Sequence, residues 1–378
     1  MICYLVPNSK RKIFFCYLTE LIVLFPYYFL FIINFTWCPI HYQMLDSQRS
    51  SGMRRTLKFL LRGLFIVLII CITGVAIPRT WSALHPEKPP VGYHFMPPAY
   101  FALWIGLEKL VNTSPEVPDE IEEIKNLEYK NINGKSLQLD IYRLKDLSDT
   151  VPLLVFIHGG AWKGGKRSDY LIYLIDFAKR GYVTATVSYR LLSDSVWPAC
   201  AEDIRDALKW FFDNGNNYGY DPDRIALVGG SAGGHLAMLR GYGWGKAEER
   251  GDSIENHRVK AIVDIYGPAD LTTEYARNHP LVTALIARSY KEFPELYREA
   301  SPVSYLDKND PPTLILHGTS DRLVPVSQSD DLKHRLDTLG VPCEYHRLPL
   351  WPHTMDMVER VNLYCQQEME EFFREYLY

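Results

Sequence analysis

Between an apolar run, Arg224–Val228, and a helix-like stretch, Gly234–Leu239, the chain turns through Gly229-Gly230-Ser231-Ala232-Gly233. Gly-x-Ser-x-Gly in a strand–turn–helix setting leaves few folds open, because the strand must enter the helix almost at once. The flanking glycines leave no Cβ to collide with the neighbouring strand and helix, and a residue on so sharp a turn carries a strained backbone. The Ser231 hydroxyl would then stand clear of the sheet, at the positive end of the following helix. A serine that merely caps a Gly-rich turn gives the same short pattern. The rest of the chain has to decide between the two.

Upstream, Val151–Ile157 reads as a buried parallel strand and runs straight into His158-Gly159-Gly160-Ala161-Trp162. A Gly-Gly turn lets main-chain N–H groups converge on one point, where they can hold the oxyanion of a tetrahedral intermediate. The candidate donors are the amides of Gly159, Gly160 and Ala161, with that of Ala232 completing the hole. An ordinary tight turn is the plain alternative, and His158 suits a scaffolding role. The loop continues as Lys163–Lys166 but lacks phosphate-loop spacing.

Downstream, Pro312–Gly318 is another buried-strand run and ends in Thr319-Ser320-Asp321. Strand Glu344–Leu348 leads to His353, ahead of a C-terminal helix. The sheet's carboxyl edge is where α/β folds gather their ligands. Asp203, Asp206, Asp264 and Asp270 compete for the acid's place, but Asp321 alone follows a strand between Ser231 and His353 at the position the fold demands. Serine, then acid, then histidine is a chain order distinct from those of the trypsin-like and subtilisin-like proteases.

On these residues the stretch from about Leu127 to the C-terminus resembles the α/β-hydrolase superfamily. It is most similar to the small esterase branch of feruloyl-esterase-like enzymes and relatives of hormone-sensitive lipase. The matching landmarks are Phe156–Trp162, Ser188–Leu191, Asp221–Ala237, Tyr266–Leu271 and His317–Asp321. Two departures stand out: lipase relatives carry a third glycine at the place of Ala161 and an acidic residue at that of Gly230. The resemblance implies a serine hydrolase of carboxylic esters, with Ser231 as nucleophile, His353 as base and Asp321 orienting it. Trp162, Tyr189 and His235 are expected to wall the substrate pocket, although each also suits the core. Arylformamidase-like amide or peptide hydrolysis with the same triad stays open, as does a catalytically silent module tethered to a membrane.

The residues themselves call for a mostly parallel, doubly wound α/β sheet with helices on both faces. Strands are predicted at Leu153–His158, Val183–Tyr189, Arg224–Gly229, Lys260–Ile265, Thr313–His317 and Glu344–Leu348. An antiparallel edge hairpin should form around Asn133-Gly134. Helices are predicted at Tyr170–Lys179, Cys200–Asn214, Gly233–Leu239, Val326–Leu339 and Asp356–Tyr376. Thr272–Ala300 fits either a short cap over the site or peripheral packing.

At 378 residues the chain has room for one domain of roughly 250 residues plus an extension. A formal net charge of −4 without a basic block argues against nucleic acid. Of the 7 cysteines, only Cys200, Cys343 and Cys365 fall in the hydrolase region, and their spacing suggests neither a disulfide framework nor a metal site. No cofactor and no metal are expected; the expected partner is a small-molecule ester.

The N-terminal part is different. Ile13–Trp37 is mostly apolar, and Gly63–Pro78 is uncharged behind Arg54, Arg55, Lys58 and Arg62. Counted from Phe59, the second run is long enough to span a bilayer. It reads as an uncleaved signal anchor, with Met53 an alternative initiator and the hydrolase outside the cytosol. A helix packed on the hydrolase is the other reading. The expected organisation is therefore 1–85 as anchor region, 86–122 as a proline-rich linker wrapping the domain, and 123–378 as the catalytic domain.

Overall fold

The computed structural model describes residues 49–94, 96–243 and 259–378; the apolar run Ile13–Trp37 lies outside them. Eight strands form one sheet in the order β1-β2-β4-β3-β5-β6-β7-β8. They are β1 (Ile121–Ile132), β2 (Lys135–Leu144), β3 (Val151–Ile157), β4 (Val183–Val187), β5 (Tyr220–Gly230), β6 (Ala261–Ile265), β7 (Thr313–Gly318) and β8 (Cys343–Leu348). Strands β3 to β8 pair in parallel, while β1/β2 and β2/β4 are antiparallel. The expected doubly wound sheet and its edge hairpin are both present. Asn133 and Gly134 have φ of 50° and 84°, the pair of left-handed residues that a two-residue I′ turn requires. Ile132 and Lys135 close the hairpin across them.

The inner parallel strands β3, β4, β6 and β7 and the second half of β5 read as unbroken apolar runs because both their faces are covered, whereas the edge strand β8 is polar and only partly buried. In β3, Leu153, Val155 and Ile157 join one core cluster, and Leu154 and Phe156 the other. Helices α4 (Ala199–Tyr218), α5 (Ala232–Gly241) and α9 (Ser327–Leu339) supply the first cluster. The second receives α3 (Leu171–Lys179) and α10 (Glu359–Leu377). Thr272–Ala300 folds into short helices α6 (Glu274–Arg277), α7 (Pro280–Ile286) and α8 (Pro294–Glu299). Ala276, Val282, Leu285, Ile286 and Tyr297 from this stretch lie in the first cluster, so it packs peripherally on the core.

Contacts divide the chain into two compact units, Met1–Leu68 and Ile69–Tyr378. Helix α1 (Arg49–Leu84) contains Thr56–Leu84, a segment long and apolar enough to cross a membrane. Phe59, Phe65, Ile66 and Ile77 on it are exposed. Within the second unit, α2 (Met96–Trp104) follows a stretch that is bonded into the domain. Gly92 N–H donates to Pro349 O at 2.7 Å, Val111 N–H to Met357 O at 2.9 Å, and Glu359 N–H to Lys109 O at 2.9 Å. Leu110 bridges Val358 in antiparallel fashion. The proline-rich stretch is thus a clasp around the loop between β8 and α10.

Candidate active site

Ser231 ends β5 and opens α5 with φ 55° and ψ −121°, a combination that costs a non-glycine residue about 1–3 kcal/mol. Its N–H is anchored to Ile265 O at 2.9 Å. The crossing is close: a Cβ on Gly233 would lie 2.0 Å from Ile157 O, and one on Gly159 would lie 2.7 Å from Gly230 O. Glycine at both places lets the β3 loop lie against the elbow.

From this turn the Ser231 Oγ reaches His353 Nε2 at 3.0 Å, and His353 Nδ1 lies 2.6 Å from Asp321 Oδ2. With Nδ1–H donating to the carboxylate, Nε2 is left to accept from the hydroxyl. Asp321 follows β7, and its Oδ1 accepts the N–H groups of Leu323 and Val324 at 2.8 and 2.9 Å. Burial opposes the charge on Asp321, but hydrogen bonds from His317 and His353 and from the Val324 amide outweigh it. They hold the carboxyl well below the usual range.

The loop expected to hold the oxyanion turns through left-handed backbone. Gly160, Ala161 and Trp162 have φ of 111°, 56° and 54°. Among the described residues, no main-chain carbonyl accepts the N–H of Gly160 or Ala161. Ala232 is the first residue of α5, where an N–H has no intrahelical acceptor. Gly159 supplies the close approach rather than a left-handed turn.

The three residues expected to wall the pocket are placed differently. Trp162, Tyr189 and His235 are all buried, under the loop, where they bind one another and the scaffold. Trp162 Nε1–H donates to His235 Nδ1 at 3.3 Å, and His235 Nε2 meets Ala300 O at 2.7 Å. Burial pushes the His235 imidazole down to about 4, so it is neutral with its proton on Nε2. Tyr189 donates to His158 O at 2.8 Å and stacks on the His158 ring at 4.4 Å. Large rings beside a motif look alike in sequence whether they face a cavity or the core; here they are spent on packing.

Three further residues bear on the site that the sequence reading gave no role. His317 Nε2 lies 3.3 Å from Asp321 Oδ2, and its Nδ1 lies 2.7 Å from Ser329 Oγ. Tyr266, at φ 49°, sets its ring 4.6 Å from that of His353. Its hydroxyl donates to Asp356 Oδ1. Burial pushes the Asp356 carboxyl above its ordinary range, against the Tyr266 hydrogen bond. The signals were present, since Tyr266 and His317 begin landmark motifs, but the pairings span distant parts of the chain.

A doubly wound sheet with this elbow and this order of strand-end residues is the architecture of the α/β-hydrolases. The chain belongs to the BD-FAE family, whose model matches residues 139–336. It is 34% identical over 235 residues to the probable carboxylic ester hydrolase LipM of Mycobacterium tuberculosis, covering 60% of this chain and 54% of that protein. Isoprenylcysteine alpha-carbonyl methylesterase of Arabidopsis thaliana is 26% identical, over 55% of this chain and 51% of its own length. The chain thus spans about half the length of these curated relatives. Among solved structures, propionate-bound esterase 2 of Thermogutta terrifontis superposes with a TM-score of 0.59 at 25% identity. That match covers 70% of this chain and 97% of the esterase.

Proposed function

We propose that this protein is a carboxylic-ester hydrolase working through an acyl-enzyme on Ser231. The observation that carries the reading is the hydrogen-bonded line from Ser231 Oγ through His353 to Asp321, set on an elbow of strained backbone. Names of the relatives support ester chemistry. Ser231 Oγ attacks the ester carbonyl while His353 Nε2 takes its proton, and the amides of Gly160, Ala161 and Ala232 receive the oxyanion. Collapse of the tetrahedral adduct breaks the carbon–alkoxy bond, and the proton on Nε2 passes to the leaving alcohol. Water then repeats the sequence on the acyl-enzyme and releases the acid. Asp321 keeps the imidazole in the required tautomer and stabilises its protonated form.

A fluorophosphonate probe should label the wild-type protein and not Ser231→Ala, with p-nitrophenyl acetate turnover falling on the order of a million-fold. Equal labelling of both would reject Ser231.

We also propose that α1 is an uncleaved membrane anchor, with the hydrolase on the side opposite Arg54, Arg55, Lys58 and Arg62. The apolar segment Thr56–Leu84 supports this. The full chain should stay in the membrane pellet through an alkaline carbonate wash, and its release there would end the anchor reading.

A further inference from the structure

We infer that the second unit carries an anionic phospholipid headgroup site beside the end of α1; the inference rests on the membrane reading of that helix. A cleft of about 570 Å³ opens between the last turns of α1 and helix α10. Arg79, Lys88 and Arg360 line it together with Leu363, Tyr364 and Gln367. Among the described residues, Glu108 is ion-paired with two of these cations, Arg79 Nη1 lying 3.1 Å from its Oε1 and Arg360 Nε 2.7 Å, while Lys88 has no ion-pair partner.

The site is built rather than incidental. Arg360 lies over the rings of Trp351, at 4.8 Å, and Tyr93, at 6.0 Å. Its Nη2–H donates to Val91 O at 2.9 Å, while its buried Nη1 has no hydrogen-bond partner. Stacked on two rings and tied to a carbonyl, the Arg360 guanidinium is fixed at the cleft wall, and its planar fork is of the kind that pairs with phosphate oxygens. Lys88 is exposed, with its ammonium held 5.8 Å over the Trp81 ring.

The surroundings fit a bilayer surface rather than a soluble anion. Ile77, Trp81 and Leu84 beside the cleft, and Leu363 within its wall, are 68%, 48%, 70% and 57% exposed. Helix α2 packs across Gly74, where a Cβ would lie 2.8 Å from Pro98, five residues before Arg79. That helix and the residues after it expose Tyr100, Trp104, Ile105, Leu107 and Leu110. Exposed aromatic and aliphatic side chains together with lysine and arginine match the apolar-to-headgroup boundary of a membrane. A phosphodiester between Arg79, Lys88 and Arg360 would let its acyl chains run beside Ile77 and Trp81.

The test uses the full chain in neutral detergent and reads thermal stability, which needs no turnover. Dihexanoyl-phosphatidylglycerol should raise the melting temperature saturably, whereas dihexanoyl-phosphatidylcholine and inorganic phosphate at the same ionic strength should not. Lys88→Gln should weaken the phosphatidylglycerol effect about fivefold and Lys88→Arg should restore it. Ser231→Ala should respond like wild type, which separates this site from the catalytic reading. Equal stabilisation by the choline lipid, a full effect of phosphate alone, or indifference to Lys88→Gln would each overturn the headgroup site. Carbonate extraction separately decides the anchor.

Discussion

Replacing Gly230 tests why this chain lacks the acidic residue that lipase relatives carry there. An ideal Cβ on Gly230 would lie 2.1 Å from Tyr170 Oη, while the next atoms, Tyr170 Cζ and Tyr266 Cε2, stand at 3.4 Å. One oxygen therefore accounts for the exclusion, and it would have to retreat by roughly 1 Å or more to reach ordinary contact. Tyr170 is not free to yield: it is buried, with Phe156 and Tyr173 at 5.9 and 5.6 Å between ring centroids. Overpacking of this kind costs about 1–3 kcal/mol, so Gly230→Ala should lower the melting temperature by ~2–4 °C per kcal/mol. Turnover should fall too, because the strain is delivered next to Ser231 and small displacements there are expensive. Tyr170→Phe deletes the colliding oxygen, so the double variant should recover most of the loss. The assay is a double-mutant cycle on melting temperature and p-nitrophenyl acetate turnover. Effects that add within about 0.5 kcal/mol would show that Tyr170 Oη does not exclude a side chain at 230.

Asp321→Asn should reduce turnover by up to roughly ten-thousand-fold through loss of the histidine tautomer, measured on the same ester. The Asp321 carboxyl sits below its unfolded value near 3.9. Its stabilisation is thus complete above that value and is lost as pH falls through it toward the lower folded value. Melting temperatures between about pH 5 and pH 2 should accordingly fall more steeply for wild type than for Asp321→Asn. A chain starting at Pro86 should be soluble and active, whereas one starting at Asp119 should lose turnover, because the bonds from Gly92, Lys109 and Val111 to the β8–α10 loop go with it. Full activity of the shorter chain on p-nitrophenyl acetate would reduce 86–118 to a tether.

The sheet was legible because its signal is local. Five apolar runs, each buried on two faces, and the polar edge run Glu344–Leu348 alternate with helix patterns, and Asn133-Gly134 names its own turn. That Ser231, Asp321 and His353 come together could be expected because each follows a strand, and the sheet carries strand ends to one edge. What was not legible depends on partners far apart in the chain. Trp162, Tyr189 and His235 carry the same residue types whether they face substrate or scaffold, and only the three-dimensional packing shows that their polar atoms are spent on His158 O, Ala300 O and each other. Residues 86–122 have the composition of a linker, yet proline removes only a donor. The carbonyls of Pro90 and Val91 still accept from Trp351 Nε1 and Arg360 Nη2.

The clasp that contains these bonds explains how the site keeps its strain. Ala161, Trp162, Ser231 and Tyr266 all have φ between 49° and 56°, and they come from the ends of β3, β5 and β6. Each conformation costs about 1–3 kcal/mol and persists only where the surroundings over-determine it. The β3 and β5 turns are held from beneath by the buried Trp162–His235–Ala300 chain. Tyr266 is held through its N–H to Leu316 O at 3.0 Å and its hydroxyl to Asp356. Among the described residues no strand pairs with the outer side of β8, which leads into the loop bearing His353, and Leu350 and Thr354 within that loop are also left-handed, at φ 63° and 59°. The clasp of residues 90–111 supplies the missing restraint, with Trp351 pinned to Pro90 on one side of His353 and Met357 to Val111 on the other. Because Glu108 in that clasp also takes Arg79 from the end of α1, the imidazole is positioned by a segment that continues directly into the apolar helix.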